Sequence, residues 1–190
     1  MSYNDLLDIL MLEKPSVVLI TKKDELATLI PEFAKTYNFD QRNDWHIYSV
    51  FAHILKVVDE TPAILPLRIA SLFHDVGKPY TFKLDKKGIG HFHHHAEVSE
   101  LIFAKHAENF ELKSNDIFLI KKLIWFHDIK LPTDDYSVSE IIDNFDGSIE
   151  LLFFLKEADI LAYNPKYHSI CLKELYELKN IYLKSKKLIK

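Results

Sequence analysis

The stretch SLFHDVGKPY, residues 71–80, contains the adjacent pair His74 and Asp75 and follows a largely apolar run. The apolar run predicts a buried helix. We expect the helix to end here, because Gly77 can adopt a left-handed backbone at a helix exit and Pro79 opposes continuation. Neighbouring side chains on a helix point about 100° apart, whereas at a loosened last turn both can face one cation. The pair is therefore interpreted as half of a metal site.

Length and composition favour one helical domain. The chain has 190 residues, of which 48% are hydrophobic and 13% aromatic, and this is enough to bury a sizeable core. Only four residues are glycine, and a Gly-poor chain rich in Leu, Ile, Lys and Glu favours helices over turn-rich β structure. We predict a single compact all-α bundle over residues 1–190 with eight or nine helices. Its core spans about residues 40–165, and the N-terminal helices and a C-terminal helix pack on it.

Charge, cysteine content and hydropathy limit the function classes. A formal net charge of -4 gives no general attraction to nucleic acid or to anionic membranes. The single cysteine, Cys171, excludes an internal disulfide and a thiolate metal cluster, which fits the reducing cytosol. No apolar run approaches the roughly 20 residues of a membrane span, and the first residues do not resemble a signal peptide. We expect a cytoplasmic protein without a membrane partner.

Helical patterns follow one another along the chain, separated by Pro, Gly or polar stretches. Besides the helix that ends at the His-Asp pair, the expected segments are residues 4–12, 24–37 with a new segment at Pro31, 44–60, 92–109, 115–127, 137–145, 148–163 and 166–187. Pro15 is expected to end the first helical region, and residues 80–91 predict an exposed loop or short hairpin. The helix over residues 44–60 would place His46 and His53 on one face, about 10.5 Å apart along its axis.

Histidines and aspartates recur near the ends of the predicted helices. The candidate metal ligands are His53, His74 with Asp75, His95, His127 with Asp128, and Asp159. Imidazole and carboxylate donors without thiolates suit transition metals better than Ca, and facing helices can bring such donors together. The expected cofactor is one or two divalent ions, drawn from Mn, Fe, Co, Ni, Zn or Mg.

Three motifs occur in a fixed order along the chain: His53 with Val57 four residues later, LFHDVGKP at residues 72–79 and ADILA at residues 158–162. Together they resemble the signature of the HD superfamily of metal-dependent phosphohydrolases. Four longer stretches resemble the HD region of bacterial CCA-adding tRNA nucleotidyltransferases: residues 30–57, 90–99, 123–128 and 158–165. The phosphate-binding Gly-Ser pair and catalytic aspartates of the nucleotidyltransferase head have no counterpart here, so nucleotide addition is not expected.

The resemblance implies a set of metal ligands. Four are core ligands and two hold or complete a second metal site: His53, His74, Asp75 and Asp159, followed by His95 and His127. In the family pattern the first histidine is followed by a hydrophobic residue at the fourth position, which favours His53 over His46. His46 would then reach the substrate or the mouth of the pocket. Apart from the resemblance, Asp128 is expected to act as a cap or to accept a hydrogen bond from a ligand histidine rather than to bind the metal directly.

Metal-assisted attack of water on phosphorus is the chemistry that such a site supplies. Asp75 is the carboxylate best placed to bridge two ions and orient the water. Lys78 could pair with a phosphate oxygen, and His95 or His127 could protonate the leaving alkoxide if no metal engages it. We therefore predict a metal-dependent phosphohydrolase acting on a phosphomonoester or phosphodiester of a nucleotide or of an RNA end.

Two other functions stay open at this point. One is a non-catalytic RNA-binding or regulatory module related to tRNA nucleotidyltransferases, in which the metal is structural. The complete ligand set and the net charge of -4 argue against it, since phosphate binding depends on Lys and Arg contacts. The other is storage or sensing of metal, which predicts reversible metal binding without hydrolysis. The sequence leaves the substrate and the oligomeric state open.

Overall fold

The computed structural model describes residues 1–188, with side chains described through residue 185, and this part of the chain consists of helices and one short hairpin. Its α-helices are α1 (Tyr3–Leu10), α2 (Pro15–Thr21), α3 (Lys23–Leu29), α4 (Val50–Glu60), α5 (Leu65–Phe73), α6 (Lys78–Thr81), α7 (His95–His106), α8 (Ser114–Phe126), α9 (Asp135–Asn144), α10 (Ile149–Leu161) and α11 (His168–Leu188). The 3-10 helices are Pro31–Thr36, Ala107–Phe110 and Pro165–Tyr167. Strands β1 (Lys83–Leu84) and β2 (Gly90–His91) pair antiparallel. The predicted all-α class is confirmed, and so is the hairpin.

Helix α5 lies at the centre of the bundle because it is apolar on nearly every side. Every residue from Leu67 to Phe73 is buried, and α5 packs against α1, α4, α7, α8 and α10. A helix that is hydrophobic all round needs neighbours on all sides. The two residues that follow it, His74 and Asp75, are thereby held in the interior.

The charged residue of α5, Arg68, is buried and bonded to backbone carbonyls. Its guanidinium donates hydrogen bonds to the oxygens of Thr61 (2.8 Å), Pro62 (3.2 Å), Leu10 (3.2 Å) and Leu12 (3.3 Å). These bonds offset the cost of burying a charge. They also fasten the end of α1 to the connection between α4 and α5.

The helix expected over residues 44–60 begins only at Val50. The Ser49 hydroxyl accepts a hydrogen bond from the Ala52 N–H (3.3 Å) and caps α4, whereas residues 43–49 form turns and irregular backbone. The prediction that His46 and His53 share a helix face was therefore wrong. His46 precedes the helix, and its ring centre lies 5.0 Å from that of His53.

The exit of α5 also differs from the expectation. Gly77 has φ of -77°, so it is not left-handed, and Pro79 lies in the first turn of a new short helix, α6. Glycine is required here because α7 passes closely. A Cβ on Gly77 would lie 2.4 Å from the His95 carbonyl oxygen and 2.8 Å from the Ser99 nitrogen. The Gly77 N–H donates to Ser99 Oγ (2.9 Å), and this contact sets the beginning of α7 beside Asp75.

The number of α-helices within residues 1–188 is eleven, more than the eight or nine expected. Pro15, expected to end a helix, begins α2 instead, which is the position where its fixed φ and missing N–H are tolerated. The predicted break at Pro31 is confirmed, since α3 ends at Leu29 and a 3-10 helix begins at Pro31. No helix among residues 1–188 combines the length and apolar character needed to cross a membrane.

Candidate metal centre

Six side chains from five helical segments meet in the interior, and we call them the histidine–carboxylate centre. They are His53 of α4, His74 and Asp75 directly after α5, His95 at the start of α7, His127 directly after α8, and Asp159 of α10. All six are buried. The structure thus brings together every residue that the resemblance implied as a ligand.

The four imidazoles of the centre share one orientation. Each directs Nδ1 at a backbone carbonyl oxygen: His53 at Ala162 (3.4 Å), His74 at Ser71 (2.7 Å), His95 at Phe92 (2.8 Å) and His127 at Ile124 (2.6 Å). A carbonyl oxygen only accepts hydrogen bonds, so Nδ1 carries the proton. Nε2 of each ring therefore faces the centre, and it presents a lone pair there wherever it carries no second proton.

One group of donor atoms surrounds His53. Its Nε2 lies 2.9 Å from Asp159 Oδ1, 3.2 Å from Asp75 Oδ2 and 3.3 Å from His74 Nε2. His74 Nε2 lies 3.4 Å from Asp75 Oδ2 and 3.8 Å from Asp159 Oδ1. Two imidazoles and two carboxylates therefore converge on one small region.

A second group faces the other oxygen of Asp75. His95 Nε2 lies 3.1 Å from Asp75 Oδ1 and 3.1 Å from His127 Nε2, and His127 Nε2 lies 3.7 Å from Asp75 Oδ1. Asp75 thus joins the two groups, with Oδ2 toward His53 and His74 and Oδ1 toward His95 and His127.

These separations fit a divalent cation. Nitrogen and oxygen donors about 2.1 Å from one ion are themselves roughly 3.0–3.4 Å apart when they are neighbours in its coordination shell. Donor atoms of His53, His74 and Asp159 all lie within 4.8 Å of one another, and so do those of His74, Asp75 and His127. Imidazole nitrogen with carboxylate oxygen suits a transition-metal ion, and each of the four imidazoles already has the kind of carbonyl partner that usually fixes the tautomer of a metal-binding histidine.

Charge within the centre shifts the pKa values of its members. Burial alone would raise the pKa of Asp75, but Lys78 and His74 hold it well below its usual range. The same holds for the pKa of Asp159, through hydrogen bonds from His53 and His74. Burial opposes a charge on His74, yet Asp75 and Asp159 raise its pKa to about 10. Both carboxylates therefore stay ionised, and a bound cation would replace the proton on His74.

Lys78 is an internal partner of Asp75. Its side chain is 6% exposed, and Nζ lies 2.6 Å from Asp75 Oδ2. Nζ also donates a hydrogen bond to Gln41 Oε1 (2.8 Å). Gln41 is fully buried, and nothing in the spacing of the sequence pointed to it. Contact of Lys78 with a phosphate oxygen stays a prediction.

His46 lies beside the centre rather than in it. Its Nε2 is 3.5 Å from Lys78 Nζ, and its ring centre is 5.2 Å from that of Tyr163. Burial, and after it the charge of Lys78, lowers the pKa of His46 to about 2, so the ring is neutral. Its Nδ1 is buried without a hydrogen-bond partner among the described residues, and the ring lines the cleft over the centre.

Two residues, Lys156 and Tyr163, contact the centre from the side of α10 and were not identified from the sequence. The Tyr163 hydroxyl donates to Asp159 Oδ2 (2.8 Å). Lys156 Nζ donates to the carbonyl oxygens of His127 (2.5 Å) and Ile129 (3.0 Å), and burial lowers its pKa to about 8. Lys156 and Tyr163 stand three residues before and four residues after Asp159, which is the spacing of one helix face. That spacing was the available signal.

Asp128 lies at the rim of the cleft over the centre, and its side chain is 61% exposed. Its Oδ2 is 3.7 Å from His95 Nδ1, which is too long for a hydrogen bond. His95 Nδ1 donates instead to the Phe92 carbonyl. The expected hydrogen bond from a ligand histidine to Asp128 is therefore not present between these two residues.

Fold and centre together define a class: an all-α protein whose interior gathers four histidines and two aspartates in a geometry suited to divalent metal. The family model described as "HD domain" matches residues 44–164, which include all six residues of the centre. The chain belongs to the HD domain family.

Three larger curated proteins are similar to parts of this chain. The A-adding tRNA nucleotidyltransferase of Deinococcus radiodurans is 31% identical over 112 residues, which cover 56% of this chain and 26% of that protein. The multifunctional CCA protein of Dechloromonas aromatica is 33% identical over 103 residues, or 50% of this chain and 25% of that protein. The bifunctional uridylyltransferase/uridylyl-removing enzyme of Methylococcus capsulatus is 27% identical over 186 residues, or 80% of this chain and 20% of that protein. The chain thus spans only 20–26% of the length of each of these relatives. The resemblance to the HD region of tRNA nucleotidyltransferases is confirmed.

Proposed function

We propose that this chain is a metal-dependent phosphohydrolase that cleaves a phosphomonoester or phosphodiester of a nucleotide or of an RNA end. The observation that carries the proposal is the position of Asp75, whose two oxygens face two different pairs of imidazole nitrogens. Membership of the HD domain family supports the reaction class. One relative is named for uridylyl removal. From that relative we take only the type of reaction, the cleavage of a phosphate ester, as support for the proposal.

We assign the ligands to two neighbouring ions. His53, His74, Asp75 and Asp159 would hold the first, and Asp75, His95 and His127 the second. Divalent cations held there would offset the charge of the phosphoryl oxygens and make water a better nucleophile near neutral pH. The remaining catalytic tasks fall to the side chains around them.

In the reaction, an oxygen of water forms a bond to phosphorus while the ester P–O bond breaks. The alcohol leaves with a proton, and the phosphate product keeps the oxygen of water. Lys78 keeps Asp75 ionised, and the Tyr163 hydroxyl occupies Asp159 Oδ2, which leaves Oδ1 facing His53. His46 is neutral, so it can orient a substrate by hydrogen bonding without adding charge. His95 and His127 can donate a proton only where no cation engages Nε2.

Hydrolysis after metal replacement tests this proposal. The full chain is stripped with a chelator, reloaded with Mn, Co or Ni, and assayed with p-nitrophenyl phosphate and bis-p-nitrophenyl phosphate. We expect turnover that depends on the added metal, and for Asp75→Ala a loss of more than about 100-fold, beyond the 10–100-fold typical of residues that only support a ligand. Asp8→Ala is the matched control, because that carboxylate is exposed on α1 and is not part of the centre or its cleft; we expect its rate to stay close to that of the unsubstituted chain.

Full activity in Asp75→Ala would contradict the mechanism. Metal uptake without turnover of any ester would instead favour a structural or storage role for the ion. A panel of nucleoside monophosphates, 2′,3′-cyclic nucleotides and cyclic dinucleotides would then rank the natural ester type by kcat/KM.

A further inference from the structure

A second cavity, of 470 Å³, lies next to the histidine–carboxylate centre, and we call it the α11 cavity. His127, Asp159 and Tyr163 line both this cavity and the cleft over the centre. The two spaces are therefore adjacent. Ligand pockets commonly have volumes of about 300–1,000 Å³, so the α11 cavity is large enough to hold a small organic group.

The two spaces differ in chemistry. The cleft is lined mainly by imidazoles, carboxylates and Lys78. The α11 cavity has six aliphatic side chains: Ile129, Leu131, Ile160, Leu175, Leu178 and Ile181. Lys130 and Lys156 also line it. Lys130 is exposed, and the Lys156 ammonium group donates to the carbonyl oxygens of His127 and Ile129. A phosphate therefore belongs in the cleft, and apolar surface of a ligand is better placed in the cavity.

Much of the cavity wall comes from α11. This helix supplies Cys171, Leu175, Leu178 and Ile181, and it follows the residues 44–164 that match the HD domain family. The metal-binding side chains thus lie inside the family match, whereas this wall lies outside it. Such a division is expected where members of a family share one reaction but each member selects its own substrate.

We propose that the α11 cavity binds the organic group of the phosphate ester, and that this group is one flat ring system of about nucleobase size. The substrate is then a small ester of the mononucleotide type rather than a polynucleotide end. Aliphatic walls fit the apolar faces of such a ring, and Thr133, Glu174 and Glu177 supply polar groups for its edge. The inference rests on the proposed function for the phosphate in the adjacent cleft.

Cys171 allows a test without metal or turnover. It is the chain's one cysteine, it is partly buried and it lines the cavity. The rate of its alkylation by iodoacetamide is measured on the full, metal-free chain with adenosine, with uridine, and with ribose or inorganic phosphate as controls. We expect at least one nucleoside to slow alkylation several-fold and the controls to leave it unchanged. Equal rates with and without both nucleosides would overturn the proposal.

Kinetics of the metal-loaded chain provide the second test. Leu178→Trp fills the cavity, and Ile170→Trp is the matched control, because Ile170 is on the same helix but 57% exposed. We expect Leu178→Trp to raise KM for 1-naphthyl phosphate roughly tenfold, the scale on which a hydrophobic pocket discriminates, with kcat/KM for methyl phosphate unchanged. Ile170→Trp should change neither. Equal effects of Leu178→Trp on the two esters, or a higher kcat/KM for a 5′-phosphorylated RNA oligonucleotide than for the mononucleotide, would overturn it.

The two tests separate this inference from the proposed function. Protection of Cys171 by a nucleoside without hydrolysis of any ester would reject the phosphohydrolase and retain the cavity assignment. Hydrolysis of the esters, with no protection of Cys171 and with equal effects of Leu178→Trp on 1-naphthyl and methyl phosphate, would retain the phosphohydrolase and reject the cavity assignment. The alkylation experiment needs no substitution, so the proposal stays testable even if Leu178→Trp fails to fold.

Discussion

The Nε2 atoms of His95 and His127 lie 3.1 Å apart in the protein interior, although both rings direct Nδ1 at a backbone carbonyl. Two lone pairs that face each other at this distance repel unless a proton or a cation lies between them. The same relationship holds for His53 and His74, whose Nε2 atoms are 3.3 Å apart. Two such pairs on either side of Asp75 favour two cation positions over one.

We therefore expect the chain to bind two divalent ions, and each histidine pair to control one of them. His127→Gln should lower the stoichiometry from two ions to one, and His53→Gln should remove the other ion. Because its oxygens face both pairs, Asp75→Asn should weaken both sites. Equilibrium dialysis against Mn or Zn, followed by elemental analysis of the protein, measures the number bound.

The control for this series is His94→Asn. His94 is exposed and has φ of 64°, a left-handed conformation that Asn tolerates, and it pairs with Glu97 outside the centre. We expect two ions in this variant. A single ion in the unsubstituted chain, with no change in His127→Gln, would contradict the two-site assignment.

Gly77→Ala should destabilise the fold and weaken metal binding together. The added Cβ would meet the His95 carbonyl at 2.4 Å, so α7 must move away from α6 and take His95 with it. Forced overpacking of this kind costs roughly 1–3 kcal/mol. Urea denaturation of the metal-free protein measures the free energy of unfolding, and metal titration measures the affinity.

Gly88→Ala separates the two effects. Gly88 has a left-handed φ of +77° and open space around it, so alanine there adds backbone strain of about 1–2 kcal/mol without disturbing the centre. We expect its metal affinity to equal that of the unsubstituted chain. Unchanged metal affinity in Gly77→Ala would show that the close approach of α7 does not position His95.

The sequence predicted the members of the centre because each carries its chemistry in a recognisable local setting. His74-Asp75 and His127-Asp128 are adjacent pairs at helix ends, and Asp159 stands in a helical motif. The requirement for glycine at position 77 could not be predicted, because it depends on the close approach of the α7 backbone, which is distant in sequence. Gln41 was unpredictable for the same reason, since its partner Lys78 lies 37 residues away.

Helix boundaries failed where tertiary contacts outweighed local propensity. Residues 44–48 contain Trp45 and Tyr48 and therefore fit a helical pattern, yet Asp44 accepts hydrogen bonds from Lys166 and Tyr167. The Trp45 ring stacks on that of Tyr167, with centres 3.9 Å apart. These contacts join residues more than 120 positions apart, and they hold the segment outside α4. His46 therefore lies at the edge of the centre and not on the predicted helix face.

Arg68→Met should destabilise the protein without changing its metal content. The substitution leaves the carbonyl oxygens of Leu10, Leu12 and Thr61 without their donor, whereas the Pro62 oxygen keeps the Ile64 N–H (2.7 Å). Each unsatisfied buried acceptor costs about 1–3 kcal/mol. We expect a loss of about 3 kcal/mol in the free energy of unfolding. Arg42→Met is the control, because Arg42 is exposed, and it should shift the urea midpoint little. Equal midpoints for both variants would show that water replaces the lost donor.

Glu32→Gln should reduce stability in a pH-dependent way. Burial alone would raise the pKa of Glu32. Hydrogen bonds from Lys105 (2.7 Å) and His106 (3.0 Å) lower it, and together with the other favourable contacts they outweigh burial, so the net shift of the pKa is downward. A carboxyl group whose pKa is lower in the folded than in the unfolded state stabilises the fold above the unfolded pKa of about 4.3, and that contribution is lost as pH falls through the folded pKa. We expect Glu32→Gln to lower the free energy of unfolding by about 1 kcal/mol at pH 6, and the difference to shrink between about pH 5 and pH 3. Urea denaturation across this range measures the difference. The control is Glu108→Gln, at an exposed glutamate two residues after His106, and it should match the unsubstituted chain throughout. A deficit in Glu32→Gln that stayed constant down to pH 3 would mean that packing, and not the ionised carboxylate, accounts for it.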